Sequence, residues 1–462
     1  MRLSYLLYIL QKIYTNSIKD SSPWEYVFDA LDESRLKKVH LRITALSSGG
    51  SFLDGYDISI ISVAILILQP QFSLTSTEIT LLLGSTILGM IFGGVFVGYI
   101  TDLKGRRYVY LWDMAFFILF AVLSAIASNY LQLLLFRLLL GVAIGADYAI
   151  TPTIIAEFSP VKHRGKLLSF SGAAWFIGAF ASYGIGTLLI PLGNVSWRYM
   201  FLAGIIPAVI VLLLRRDVPE SPRWLLSHGE NEKANASMKE IDSSAHIEAP
   251  VSYSKTRIGD LFRKKYLAAT AFISIFWFAL DAVTYVIALD GPSILHGLGI
   301  SPEAASGYAT IIALLAIAGA AIAILFIDTA GRKTLTKIGF TGMVVTLILA
   351  AILLDYYPLI IYIVPLFVVF EISQELGPGI TNSVYPQELY PTEIRSTAQG
   401  FGTTISRIGA LFGIFVFGFV WDAYGISTGM IFLAGISAMG LVVTLWLGKE
   451  TAGKSLEELN KP

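Results

Sequence analysis

The chain has 462 residues, 55% of them hydrophobic and 14% charged, against about 25% charged in an average soluble domain. Its 33 basic and 33 acidic side chains cancel, and the mean hydropathy is +0.69. These values exclude a soluble enzyme, a nucleic-acid binder and a disordered scaffold as the main reading. The absence of cysteine excludes disulfides, thiolate metal sites and thiol switches.

Residues 1–10 are largely apolar but too short for a membrane span, and no small-residue cleavage site follows, so a removed signal peptide is not expected, and an interfacial helix and a wrongly assigned start codon are the two readings of this segment. Apolar runs then follow at 43–68, 78–101, 108–127, 130–152, 167–190 and 197–214, and again at 266–290, 303–327, 334–354, 357–384, 397–420 and 426–447. A helix needs about 20 residues to cross a bilayer, and backbone in lipid must satisfy its own hydrogen bonds. Twelve transmembrane helices are therefore predicted. Gly89, Gly93 and Gly94 in the second run predict close helix approach.

Lys and Arg alternate between connections. Arg35, Lys37, Lys38 and Arg42 precede the first run; Lys104, Arg106 and Arg107 follow the second; Lys162, Arg164 and Lys166 follow the fourth. Arg215, Arg216 and Arg223 open the middle segment, and Arg332, Lys333 and Arg395 follow the eighth and tenth runs. The connections at 69–77, 128–130, 291–302, 355–357 and 421–425 hold neither residue. This asymmetry predicts both termini and the middle segment on the cytoplasmic side of the plasma membrane. The predicted organisation is a cytoplasmic segment 1–42, a six-helix bundle 43–214, a cytoplasmic linker 215–265, a second six-helix bundle 266–447 and a cytoplasmic tail 448–462.

The two halves share motifs. Asp102-x-x-Gly105-Arg106-Arg107 follows the second run, and Asp328-x-x-Gly331-Arg332-Lys333 follows the eighth, 226 residues later. Glu157-x6-Arg164 follows the fourth, and Glu388-x6-Arg395 follows the tenth, 231 residues later. One repeated offset, at equivalent places, predicts a duplicated six-helix unit. Such repeats suit a transporter that rocks about a site between its halves.

These motifs resemble the major facilitator superfamily over about residues 43–460. The Pro219-Glu-Ser-Pro-Arg223-Trp224 and Glu450-Thr-Ala-Gly453-Lys454 stretches resemble the ends of the two halves in sugar porters. The resemblance implies two pseudo-symmetric all-α bundles. It gives the loop residues Asp102, Gly105, Arg106, Arg107, Glu157, Arg164, Asp328, Arg332, Glu388 and Arg395 a gating role, as charges that latch helix ends together.

Ionisable residues within spans are candidates for function. They are Asp54 and Asp57 in span one, Asp113 in span three, Arg137 and Asp147 in span four, Asp281 in span seven, Glu371 and Glu375 in span ten and Arg407 in span eleven. Asp113 can also be read as pairing with a basic residue near its helix end. Trp277, Asp281 and Tyr285 stand at i, i+4 and i+8 and share one helix face. A buried carboxylate is driven toward its neutral form, so these groups predict proton coupling.

A finer resemblance is to phosphate:proton symporters. It rests on Asp54-Gly-Tyr-Asp57, Gly145-Ala-Asp147-Tyr148, Trp277-x3-Asp281-x3-Tyr285 and Tyr390-Pro-Thr-Glu-Ile-Arg395. It implies a substrate site of Asp147, Tyr148, Trp277, Asp281, Tyr285 and Arg407, and proton carriers Asp54, Asp57, Asp113 and Asp147. Two positions depart: Trp175 stands where that family has Gln in span five, and Gly377-Pro378-Gly379 replaces Gly-Pro-Asn in span ten. Trp175 is kept among the substrate residues. The expected function is proton-coupled symport of a small polar solute, inorganic phosphate first. The alternatives are a sugar or an aromatic organic acid, then an organic cation or a non-transporting nutrient receptor. The Gln-rich signatures of sugar porters are absent from spans five and seven. No nucleophile elbow, phosphate-binding glycine loop or metal-binding cluster appears among His40, His163, His228, His246 and His296. The expected partners are a small solute, protons and the lipid bilayer, with no cofactor, metal or nucleic acid, and the expected state is a monomer.

Overall fold

A computed structural model describes residues 34–241, 258–297, 302–356 and 360–459. The interfacial helix expected near residues 1–20 lies outside them. The first six passes are α1 (Lys38–Phe72), α2 (Ser76–Phe92, continued by a π-helical turn Gly93–Val97 and by Gly98–Lys104), α3 (Arg106–Ile126), α4 (Tyr130–Phe158), α5 (Arg164–Leu189) and α6 (Ser196–Ala203 and Ile205–Arg215). The last six are α7 (Lys264–Gly297), α8 (Pro302–Ala330), α9 (Arg332–Tyr356), α10 (Ile360–Leu376 and Pro378–Leu389), α11 (Arg395–Tyr424) and α12 (Ile426–Leu447). The helices run several residues past most of the predicted apolar ends. The apolar run marks the lipid-covered length, and the backbone ladder continues into the polar flanks.

Local chemistry sets the ends. Thr75 and Glu78 form a reciprocal capping box at the start of α2, with Thr75 N donating to Glu78 at 2.9 Å. The Asn129 side chain caps α4 by accepting from Gln132 N at 2.9 Å. Gly105 turns the chain from α2 into α3 at φ 104°, a region that penalises any residue with a Cβ. At Gly377 the backbone leaves the helical region, and Pro378 opens the second part of α10.

Two surfaces explain the hydropathy. Large apolar side chains point outward around the bundle, Trp446 at 82% and Leu188 at 78% exposure among them, which water would not tolerate and lipid does. Inside, separate apolar cores fill each half. Two further clusters cross between them: one packs Ile155, Leu167 and Leu168 against Ala320, Ala323 and Ile327, and the other joins Ile87 and Met90 to Tyr285 and Ala410. Where α2 meets α11, a Cβ on Gly400 would stand 1.9 Å from the Gly94 carbonyl oxygen, so the halves touch there main chain to main chain. The Lys/Arg-rich connections gather at one end of the bundle, here termed the basic end, and the bare connections at the other.

Candidate functional site

A cavity of about 100 Å³ lies between the halves. Every expected substrate residue except Asp147 lines it: Tyr148, Trp175, Trp277, Asp281, Tyr285 and Arg407. The i, i+4, i+8 stripe on α7 does face one space. Asp54 joins from α1 and has no hydrogen-bond partner among the described residues. Hydroxyls and amides complete the wall, including Ser51, Ser171, Thr284, Gln374 and Asn382.

Among the described residues, Arg407 is the only Lys or Arg lining the cavity. It forms a salt bridge to Asp281, and its guanidinium lies 4.8 Å from the Tyr148 ring centroid and 5.0 Å from that of Tyr285. One cation thus ties α11 and α7 to α4 across the cavity. Arg407 already holds the Asp281 carboxylate, and the two charges largely cancel.

Asp147 lies beside the cavity without lining it. It accepts from Arg215 at 2.8 Å and from the Thr151 hydroxyl at 3.0 Å. Asp113 meets the same guanidinium at 3.3 Å; this partner is a buried helix residue, not a loop residue. The Tyr110 ring lies 3.8 Å from Arg215. Arg215, counted by position as the first basic residue of the linker, is fully buried at the end of α6. Its polar neighbours draw it inward. Gly50, one helical turn before Asp54, leaves the gap that Asp147 and Arg215 fill, since a Cβ there would stand 2.2 Å from each. Asp57 does not line this cavity. Its carboxylate pairs with Arg137 at 2.7 Å, and Arg137 also donates to the Asp57 carbonyl at 3.0 Å, both side chains being buried. Asp54 and Asp57 are three residues apart and diverge, one to the cavity and one to α4.

The basic end is shut by the repeated motifs. Arg106 binds Glu157 at 3.0 and 3.2 Å and Asp102 at 3.0 Å. Arg332 binds Glu388 at 2.9 and 3.2 Å and Asp328 at 2.8 Å. Bonds then cross between halves. Glu157 takes Arg395 at 3.1 Å, Asp102 accepts from Thr397 N and Oγ1 at 2.7 and 2.6 Å, and Asp328 accepts from Lys166 N at 3.1 Å. Arg164 reaches the Lys454 carbonyl at 3.4 Å. Arg107 instead donates to the Arg216 carbonyl at the exposed surface, because its neighbour Arg106 takes the inward-facing position.

Two latch residues escaped the motif reading. Glu220 receives Arg106 N and Arg107 N at 3.0 and 3.1 Å, and Glu450 receives Arg332 N and Lys333 N at 2.9 and 3.1 Å. Each carboxylate caps the positive start of a helix, α3 in one half and α9 in the other. Burial raises the Glu220 carboxyl above its ordinary value, against these hydrogen bonds. The signal was present in the Pro-Glu-Ser and Glu-Thr-Ala stretches, which carry the two residues.

A twelve-pass bundle with a central polar cavity and a doubled charge latch at one end defines a membrane transporter of the major facilitator fold. The proton:xylose symporter XylE of E. coli, solved with 6-bromo-6-deoxy-D-glucose, superposes with a TM-score of 0.80 at 23% identity, over 91% of this chain and 98% of that one. The family described as "Sugar (and other) transporter" matches residues 43–461, and the chain belongs to it. Among its relatives, the provisionally named metabolite transport protein YaaU of Escherichia coli K12 is 34% identical over 92% of this chain and 96% of its own. The glucose transporter GlcP of Staphylococcus epidermidis is 30% identical over 90% and 96%. The protein is a multi-pass transporter and not an enzyme.

Proposed function

We propose that the protein is a proton-coupled symporter of a small, neutral, polyhydroxylated solute, a monosaccharide before others. The halves 43–214 and 266–447 rock about the central cavity, in the plasma membrane, with the basic end and both termini in the cytoplasm. One observation carries the reading: Arg407 is neutralised by Asp281, while Asp54 faces the same space without a partner. A neutral ring with many hydroxyls can use the Ser, Thr, Gln and Asn groups and stack on Trp175 or Trp277 without disturbing that balance. Phosphate, first in the sequence reading, meets a cavity whose single cation is taken and whose free carboxylates repel it. The names of GlcP and XylE, a glucose transporter and a xylose symporter, favour a sugar as well.

Asp54 is the proton carrier in this scheme. It faces the cavity without a partner, takes up a proton there, and gives it up when the opposite side opens to water. Asp147 and Asp113 share Arg215, and Asp57 holds Arg137, so these three carboxylates are already engaged. In proteoliposomes with an inside-alkaline gradient, labelled D-glucose or D-xylose should accumulate and be displaced by other neutral monosaccharides. Phosphate, benzoate and choline should displace it at least tenfold less well. Gradient-driven uptake of phosphate that sugars leave untouched contradicts the proposal.

A further inference from the structure

A second cavity of about 110 Å³ runs from the central one toward the bare end, sharing Trp175, Tyr285 and Gln374 with it. Its other walls are mostly apolar, including Ile58, Ile312 and Phe367, and its only carboxylate is Glu371. Glu371 meets no hydrogen-bond donor among the described residues. One helical turn on, about 6 Å along α10, Glu375 lines the central cavity. It is 1% exposed, accepts from Gln374 Nε2 at 2.8 Å through Oε1, and leaves Oε2 buried without a partner. Gln374 is itself fixed by the Thr284 hydroxyl of α7 at 3.0 Å. Room for the carboxylate comes from Gly379, where a Cβ would stand 2.4 Å from Oε1. Neither carboxylate has a salt bridge among the described residues.

We propose that Glu371 and Glu375 form a proton-binding pair that passes a proton from the second cavity to the central one. The second half of the chain then carries a proton site of its own beside Asp54 in the first. The inference rests on the proton-coupled reading above. A hydronium ion in the second cavity protonates Glu371 and leaves as water. The Glu371 carboxyl passes the proton through water to Glu375 Oε2 and returns to carboxylate. Oε1 is occupied by Gln374, so the proton lands on Oε2, and the neutral acid then donates to a solute hydroxyl. The titratable and charged groups facing the pair are Tyr183 from α5, Tyr148 from α4, Tyr285, Asp281 and Arg407 from α7 and α11, and Asp54 from α1. Among the described residues, α8 turns apolar side chains such as Ile312 and Ala316 to these cavities.

The test needs no solute at first. Infrared difference spectra of the whole protein in lipid, taken across a pH titration, report the C=O bands of protonated carboxyls. Glu371→Gln and Glu375→Gln should each remove one titrating band, distinct from the band lost in Asp54→Asn. Both Gln variants keep side-chain volume, and Glu375→Asp serves where Glu375→Gln fails to assemble. The reversal potential of D-glucose flux should then show about one proton fewer per solute in Glu371→Gln, with counterflow persisting. Unchanged bands in both Gln variants, or an unchanged ratio, overturn the pair. Failure of the wild type to move any sugar removes the substrate reading, and the infrared bands still decide this one.

Discussion

Arg407→Gln is expected to reduce solute uptake more than 100-fold and to lower stability by about 3–5 kcal/mol, the usual result of stranding one partner of a buried ion pair. The guanidinium is 2% exposed and forms its salt bridge to Asp281, with the rings of Tyr148 and Tyr285 on either side. Removing it leaves the Asp281 carboxylate charged in a low dielectric and cuts a contact between the halves. Asp281→Asn should do the same in reverse. The double variant Arg407→Gln/Asp281→Asn should recover most of the stability, because no charge is left stranded, and still fail to transport, because the link between α11 and α4 is gone. Thermal unfolding in detergent and proteoliposome uptake separate the two effects. Wild-type uptake by either single variant contradicts this account of the cavity.

Glu157→Gln is the second large effect. Glu157 is fully buried and accepts from Arg106 of its own half and Arg395 of the other. Without its charge the two guanidiniums face each other across the closed basic end with less to hold them. Truncating one partner of a buried charge pair costs about 2–5 kcal/mol, and part of that is expected to fall on the closed state, since the bond to Arg395 joins the two halves. At 1.4 kcal/mol per factor of ten, the equilibrium should move toward opening at that end by tenfold or more. The chain has no cysteine, so a single Ala323→Cys in the apolar seam between halves reports opening directly. Its labelling by a small thiol reagent should quicken at least tenfold in Glu157→Gln. An unchanged rate places the closure in the apolar seam instead of the latch.

The same residues mark what a sequence can and cannot disclose. The latch was legible because its parts repeat at one offset, and the structure gives Arg106–Glu157 and Arg332–Glu388 nearly matching distances. The α7 stripe was legible because helical periodicity alone puts Trp277, Asp281 and Tyr285 on one face. The Arg407–Asp281 pair was not. Its partners lie 126 positions apart, and no local pattern says that one charge is spent on the other. Arg215 was misplaced because charge counting assigns a residue to a loop by where the apolar run stops, whereas two carboxylates can draw an arginine into the bundle. Asp54 and Asp57 were grouped by proximity in sequence, yet Arg137 of α4 holds Asp57 while Asp54, one turn earlier, faces the cavity. Glu375 was noted as an ionisable residue in a span but not as a cavity residue, since its exposure to the cavity follows from the break at Gly377.

The central claim is that an unpaired carboxylate in the cavity couples solute movement to a proton. Proteoliposomes holding Asp54→Asn test it most directly, by comparing D-glucose counterflow at equal pH with accumulation under an inside-alkaline gradient. Counterflow within a few-fold of wild type, together with loss of gradient-driven accumulation, is the expected result. Wild-type accumulation by Asp54→Asn contradicts it.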